Sequence, residues 1–287
     1  MDELVGYLKS QTSGRIVTGD ETASLLLLGE ATDTSAVPRV LLLTVGIDCE
    51  IGVDAMDCLR HKYKSDPVFK QLFDIGNDLS HKASLGYILV GYHKCPPGKI
   101  DGDYIGNMRF LCEVINIYGK ECSGKEERIF VGEEFCRFLY EFMDVEYKDH
   151  GAVKQVNKHI SDAFHAWSRA MLSGRIVKQD FDAIFMSRNG YVIIEIKRAP
   201  SGTVEGWQPY IEDVFNYDIE KRFSEKISAP FFTLHHRGGK CDGDTDVGCY
   251  LITDVSIVKN KREIKYEKAA VKAKDLIGIF EKAALDS

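Results

Sequence analysis

Apolar and polar positions change their period several times along the chain, and each change marks an element. Val40-Leu41-Leu42-Leu43-Thr44-Val45, closed by Gly46, has the composition of a short buried strand. Over 52–76 the spacing turns helical, with Val53, Met56 and Leu59 and then Phe69, Leu72 and Phe73 recurring on one side. Asp66-Pro67 splits that run into two helices and puts Pro67 in the first position of the second. Segments 87–92 and 108–118 predict strands, 95–98 an irregular turn, 119–128 a solvated loop and 133–143 an amphipathic helix. None of these segments carries a motif for chemistry.

The pattern sharpens in the second half. A helix over 156–172 sets Ile160, Phe164, Trp167 and Met171 on one face, and Ser173-Gly174 ends it. Ile176-Val177 and an apolar hairpin follow, then a helix over 210–227, a strand over 231–235, a glycine-rich loop over 237–248 and a strand over 249–258. Helix, hairpin, helix, strand and strand predict an α/β core around a mixed sheet in the C-terminal half, beside a mixed α/β N-terminal region. The expected division is 1–125 for recognition, dimerisation or regulation and 126–287 for the core.

The hairpin, QDFDAIFMSRNGYVIIEIKRAP over 179–200, interrupts its apolar pattern with Asp182, Glu195 and Lys197. Asn189-Gly190 is a strong signal for a two-residue type I′ turn, which pairs Arg188 with Tyr191. In that register Asp182 faces Lys197 and Ile184 faces Glu195, so all three charges project from one side of the sheet. Phe181, Ala183, Phe185, Val192, Ile194 and Ile196 then fill the other side. Two carboxylates converging in a poorly solvated groove repel unless a cation lies between them, and Mg²⁺ prefers carboxylate oxygens. An adjacent ammonium can orient a water or stabilise developing charge. The plain alternative is a buried Asp182–Lys197 salt bridge with Glu195 on a solvated edge.

Composition sets bounds around that cluster. The 287 residues are 44% hydrophobic and 28% charged, ordinary globular values that allow one large domain or two. The longest apolar runs fall far short of a membrane span, and the acidic Met1-Asp2-Glu3 start points to a cytoplasmic protein with no membrane partner. Eight cysteines without a C-x-x-C pair form neither a disulfide scaffold nor a usual zinc site. Net charge is −7, yet 151–200 holds eight Lys/Arg against four Asp/Glu, a local basic patch able to meet a phosphate backbone.

The E-x-K string alone says little, because it occurs three times, at Glu146, Glu195 and Glu263. The last copy, with Asp254 upstream, is a fallback site. His235, His236, Cys241 and Cys249 match no common zinc spacing, and Asp242, Asp244 and Asp246 fail the calcium-loop pattern at Val247 and Thr253. Asp180 shares the strand face of Asp182 and is the rival first acid.

Asp182, twelve intervening residues and Glu195-Ile196-Lys197, with a helix before and after, resembles the PD-(D/E)XK nuclease superfamily over 156–258. The resemblance implies an αβββαβ core like that of restriction endonucleases and Mg²⁺ as cofactor, with Mn²⁺ as a substitute. It further implies hydrolysis of DNA phosphodiesters, with double-stranded DNA as partner and a homodimeric assembly. Asp182 and Glu195 would ligate the metal with the Ile196 carbonyl, and Lys197 would be the catalytic lysine. Asp162, on the helix before the hairpin, would be a further metal-site acid, and Gln208, ahead of the next helix, a further catalytic residue, with Tyr210 and Tyr217 completing the wall. The sequence departs from the family name in having Phe181 before Asp182. Two alternatives keep the fold: a defence nuclease switched on by a ligand in the N-terminal region, and a binding module without turnover.

Overall fold

A computed structural model describes residues 2–20, 22–52, 54–95, 100, 102–121, 127–147, 163–172, 175–198, 204–258 and 261–287. The chain begins with helix α1 (Glu3–Thr12), strand β1 (Ile16–Val17) and the hairpin β2 (Ala23–Ala31) and β3 (Ala36–Ile47). Helices α2 (Ala55–Ser65) and α3 (Pro67–Ala83) lead to β4 (Gly86–His93), α4 (Gly102–Asn107), β5 (Arg109–Ile117), β6 (Lys120–Glu121), β7 (Glu127–Val131) and α5 (Gly132–Phe142). Next come α6 (Ala163–Met171), β8 (Ile176–Asp180), β9 (Ala183–Met186), β10 (Tyr191–Arg198) and α7 (Val214–Lys226), which follows a 3-10 turn at Ile211–Asp213. Strands β11 (Phe231–His236), β12 (Asp246–Val258) and β13 (Lys261–Lys272) and helix α8 (Leu276–Asp286) complete it. The class is mixed α/β, with two mixed sheets and eight α-helices among the described residues.

The chain forms two compact units that are not contiguous in sequence. Unit 1 comprises 1–20, 32–38 and 179–287, and unit 2 comprises 21–31 and 39–178. The units therefore do not follow a boundary at 125/126. The reason is strand placement: β1 pairs antiparallel with β9, matching Ile16 to Phe185, so the first twenty residues belong with the last hundred. Conversely, the strand at 176–177 does not stand beside the hairpin; it lies in β8, at the edge of the other sheet next to β2.

Unit 1 is built on the sheet order β1-β9-β10-β11-β12-β13. One face is apolar: Ala183, Phe185, Val192, Ile194, Phe232, Leu234 and Cys249 pack against Leu4, Val5 and Leu8 of α1 and Leu276, Phe280 and Ala284 of α8. Leu4 and Leu8 of α1 stand one turn apart, as do Leu276, Phe280 and Ala284 of α8, which is why each helix presents one continuous stripe. Helix α7 lies over the other face, where Phe181 meets Phe223 at 5.2 Å between ring centroids. Phe181 is thus not on the apolar face that strand alternation predicted, because the chain bends at Phe181-Asp182 before β9 begins.

Unit 2 uses the order β6-β5-β4-β3-β2-β8, with β7 on β5. Its larger core joins β3, β4 and β5 to α5 and α6 through an aromatic cluster in which Phe110 sits 4.5 Å from Phe135 and 4.7 Å from Trp167. Asp66 caps α3 through the amides of Val68 and Phe69, and Pro67 takes the first helical position as the sequence predicts. The solvated loop expected at 119–128 instead starts as a tight hairpin: Ile117 pairs with Lys120 across Tyr118 (φ 50) and Gly119 (φ 77), both left-handed as a type I′ turn requires. No helix among the described residues is long and apolar enough to cross a membrane. The seven cysteines among the described residues are unbridged.

Candidate active site

The charged face of unit 1 owes its position to register. Strand β10 pairs with β9 as Tyr191 to Met186 and Ile193 to Ile184, which shifts the expected pairing by two residues. The turn is longer than two residues because the Ser187 hydroxyl accepts from the amides of Asn189 and Gly190, and the Ser187 amide donates to the Gly190 carbonyl. This local hydroxyl bonding competes with the I′ turn that Asn189-Gly190 favours. A shift of two keeps the paired residues of β9 and β10 on their predicted faces, whereas a shift of one would have separated the charges. Asp182 therefore lies opposite Glu195 and not opposite Lys197.

Two carboxylates meet there, and a third lies within reach of their charge. Asp182 Oδ2 accepts from the Ile196 amide at 2.7 Å, which holds the carboxyl against β10. Glu195 is 6% exposed; its Oε1 lies 2.9 Å from Lys197 Nζ and its Oε2 accepts from Gln179 Nε2 at 3.0 Å. Glu220, from α7, is 1% exposed, and neither of its oxygens has a hydrogen bond to a described residue. The Gln179 amide is near enough to favour its charged form weakly, although the bond that Gln179 donates goes to Glu195. Lys197 Nζ also reaches Asp213 Oδ2 at 3.3 Å and lies 5.9 Å from the Tyr217 ring centre. The alternative Asp182–Lys197 salt bridge does not form; the ammonium pairs with Glu195 and Asp213.

The electrostatics follow from burial. Asp182 is pushed well above the usual carboxylate range, first by desolvation and then by the neighbouring Glu195 charge. Glu195 is raised by desolvation against the pull of Lys197, and Glu220 is raised well above its ordinary value by desolvation and by both other acids. For Lys197, desolvation is outweighed by Glu195, which keeps it charged, and burial raises Tyr217. Acids driven toward neutrality around a fixed ammonium are short of positive charge.

Polar atoms without hydrogen-bond partners among the described residues concentrate on this face. Strand β11 runs parallel to β10 and sets Thr233 beside Glu195 and His235 beside Lys197. The Thr233 hydroxyl and both ring nitrogens of His235 are buried and unpaired, as are the Tyr217 hydroxyl and Trp207 Nε1. Burial lowers the His235 pKa, and its ring stacks on Trp207 at 4.7 Å with planes 1° apart. Buried groups of this kind call for water, an ion or a ligand.

The sequence-predicted residues fare unequally. Asp182, Glu195 and Lys197 come together, with Ile196 supplying its backbone between them. Asp162 lies outside the described residues, as does the 95–98 turn from 96 onward. Gln208 is exposed and makes no hydrogen bond to a described residue, so the glutamine at this site is Gln179 of β8. Tyr210 is 46% exposed, while Tyr217 joins the cluster. Asp180 contributes to the field at Glu195 without standing first in it. Sequence reading missed Glu220, although Asp213, Tyr217 and Glu220 stand at i, i+4 and i+7 around the helix following the hairpin, a spacing that marks one face.

The rival clusters are of other kinds. Asp254 pairs with Lys265 at 2.9 Å across the exposed β12–β13 ladder, where Glu263 faces Ser256, an ordinary surface ion pair. His236 points away from His235 and binds Asp2 at 3.0 Å. Among the described residues no three His, Cys, Asp or Glu side chains close on a single point fit for a metal as they stand. The oxygen-only donors Asp182 and Glu195, with the unpaired Glu220 beside them, nevertheless have the chemistry that a hard divalent cation takes, usually with retained waters. Comparison with known protein families, curated proteins and solved structures finds no match to this chain, so the geometry of this cluster is what a functional reading rests on.

Proposed function

We propose that unit 1 is a Mg²⁺-dependent endonuclease of restriction type that hydrolyses phosphodiester bonds of double-stranded DNA. The observation that carries this reading is the convergence of Asp182 and Glu195 beside the charged Lys197, on a sheet face whose other polar atoms lack partners. The element order α6, β8, β9, β10, α7, β11 supports it as an αβββαβ series, with the differences that α6 and most of β8 belong to unit 2 and that β1 stands beside β9 in place of β8.

Asp182 and Glu195 would hold the cation, with the Ile196 carbonyl on the same stretch of β10. Mg²⁺ there supplies Lewis acidity toward a water and a phosphate oxygen. Lys197 orients the attacking water and donates to the oxygen on which negative charge develops. Glu195 and Asp213 fix the ammonium by its first two bonds and leave its third donor for substrate. Water adds to phosphorus as one P–O ester bond breaks, leaving a phosphate monoester and a free hydroxyl. The local excess of basic residues over 151–200 suits a polyanion.

The test is incubation of the full chain with supercoiled plasmid and unmodified phage DNA in Mg²⁺, with EDTA as control. Nicking or linearisation that EDTA abolishes is expected, and Lys197→Ala lowers its rate by about 10²–10³ while cation binding remains. Intact DNA under every condition overturns the proposal. A second reading, a binding module without turnover, is favoured by one observation: both Glu195 oxygens are already engaged by Lys197 and Gln179. It predicts DNA retention that is indifferent to Mg²⁺ and no cleavage.

A further inference from the structure

Glu220 has no role in the cluster as the sequence predicts it, and it is the most anomalous side chain in unit 1. It stands in the middle of α7, is 1% exposed, and leaves both carboxyl oxygens without a hydrogen bond among the described residues. A buried carboxyl with four lone-pair sites unmet carries a large desolvation penalty that nothing on its own helix offsets. Its helical neighbour at i−3, Tyr217, faces the Lys197 ammonium, and its strongest electrostatic partners are Glu195 and Asp182. Glu220 therefore lies in the field of that pair of acids, while Phe223 of the same helix packs on Phe181.

Charge counting gives the occupant. Asp182, Glu195 and Glu220, all ionised, outweigh the single Lys197 ammonium by two charges, and Lys197 also answers to Asp213. One divalent cation cancels that excess, whereas a monovalent ion or a water does not. Oxygen-only donors select a hard cation over zinc or copper. Gln179 engages Glu195 Oε2 and Lys197 engages Oε1, which leaves each Glu195 oxygen one lone pair for an ion, while both Glu220 oxygens are without a hydrogen bond among the described residues.

We propose that Glu220 is the third carboxylate of this cation site, ligating Mg²⁺ directly or through one of its waters. This rests on the cation reading given above and adds to it a ligand from the helix after the hairpin, in the place that sequence reasoning gave to Asp162.

Calorimetric titration of Mg²⁺ and of Mn²⁺ into the full chain tests it without any activity. Wild type is expected to bind one cation, Asp182→Asn to lose binding, and Glu220→Gln to weaken it by about 10–100-fold, the range for removing a supporting ligand. Thermal melts should show the cation-free Glu220→Gln protein melting at or above wild type, with a smaller upward shift on adding Mg²⁺. Glu220→Asp keeps the charge and shortens the reach, so its affinity also falls. It takes the place of Glu220→Gln if that variant does not fold. Unchanged affinity in the Glu220 variants, with Asp182→Asn still impaired, overturns the Glu220 assignment alone. Absence of any cation binding by wild type overturns the cation reading and this one with it.

Discussion

The two sheets pass through the same scheme and put different chemistry on it. In unit 1 an edge strand, β1, flanks the hairpin β9–β10, helix α7 crosses to the parallel strand β11, and β12 returns antiparallel. In unit 2 the edge strand β8 flanks the hairpin β2–β3, helices α2 and α3 cross to the parallel strand β4, and β5 returns antiparallel. On the side of β10 that faces its crossover helix stand Ile193, Glu195 and Lys197. On the matching side of β3 stand Leu41, Leu43 and Val45, paired with Tyr87, Leu89 and Gly91, the last approached by Leu59 of α2. Leu41, Leu43, Val45, Ile193 and Glu195 are buried there, and Lys197 is partly exposed. Exposure therefore does not explain the Glu195 charge. A central parallel strand ordinarily reads as a continuous apolar run, as β3 does, and β10 departs from that rule only where the candidate site is.

The largest effect should come from forcing the two strands to resemble each other. Leu43→Glu places a carboxylate at a fully buried position with no ammonium supplied by the neighbouring strand, so it should cost more than about 4 kcal/mol and abolish cooperative folding of unit 2. Chemical denaturation followed by circular dichroism reads this directly. If Leu43→Glu is tolerated as readily as the native Glu195, the contrast between the strands means little. Next is Lys197→Ala, which removes the one ammonium from three acids. Lys197 is partly exposed, so the loss should be about 3 kcal/mol without cation, the lower end for breaking a buried pair, and smaller with Mg²⁺ present. Equal losses with and without Mg²⁺ would reduce the cluster to a structural ion pair.

How much of this could be read in the sequence divides along the same line. Local pattern is enough wherever it is strong: the strand at 40–45, the helix break at Pro67, the helix over 133–143 and the strands over 231–235 and 249–258 all stand where the apolar period puts them. Three charges on one face were also legible, because side-chain alternation survives a register error of two. The register itself was not, since the Ser187 hydroxyl decides it against a stronger turn signal two residues on. Partners brought from afar were invisible as well. Nothing in Ile16-Val17 announces β9 as its neighbour, and β13 is an exposed strand whose polar start, Lys261-Arg262, reads as a turn until twelve residues of β12 pair with it. Glu220 depends on how α7 docks, which is a tertiary fact. Helix α8 shows the same dependence, because its stripe has meaning only once α1 and the sheet are in place.

A third effect has opposite signs in the two units. Asp182→Asn keeps an oxygen to accept from the Ile196 amide and removes a like charge, so it should raise cation-free stability at neutral pH by about 1 kcal/mol. Truncating Leu43 to Ala should instead lower stability by about 2–5 kcal/mol. The pH profile follows from the raised carboxyls. Asp182, Glu195 and Glu220 hold protons more tightly folded than unfolded, among Asp180, Lys197, Asp213 and Tyr217 as their charged or titratable neighbours. Their favourable contribution is complete below the ordinary carboxylate pKa and is lost as pH rises through the higher folded values. The cation-free melting temperature should therefore fall from acidic to neutral pH, and Asp182→Asn or added Mg²⁺ should flatten that fall. A wild-type profile that rises over this window would contradict the assignment.

The smallest effect concerns Thr233, whose hydroxyl is buried beside Glu195 and has no partner among the described residues. An unpaired buried hydroxyl contributes nothing favourable, and replacing it by a methyl of similar shape removes its desolvation penalty. Thr233→Val should then leave stability unchanged or raise it by up to about 1 kcal/mol in the absence of ligands. Its β-branched form suits the strand equally well, so propensity does not confuse the result. If the hydroxyl serves a water that accompanies a cation or substrate, the same variant should lose part of the Mg²⁺-dependent rise in melting temperature. The pair of melts separates a polar atom kept for packing reasons from one kept for the site. A clear destabilisation in cation-free Thr233→Val would show that the hydroxyl already has a partner, and would weaken the case that this face is short of ligands.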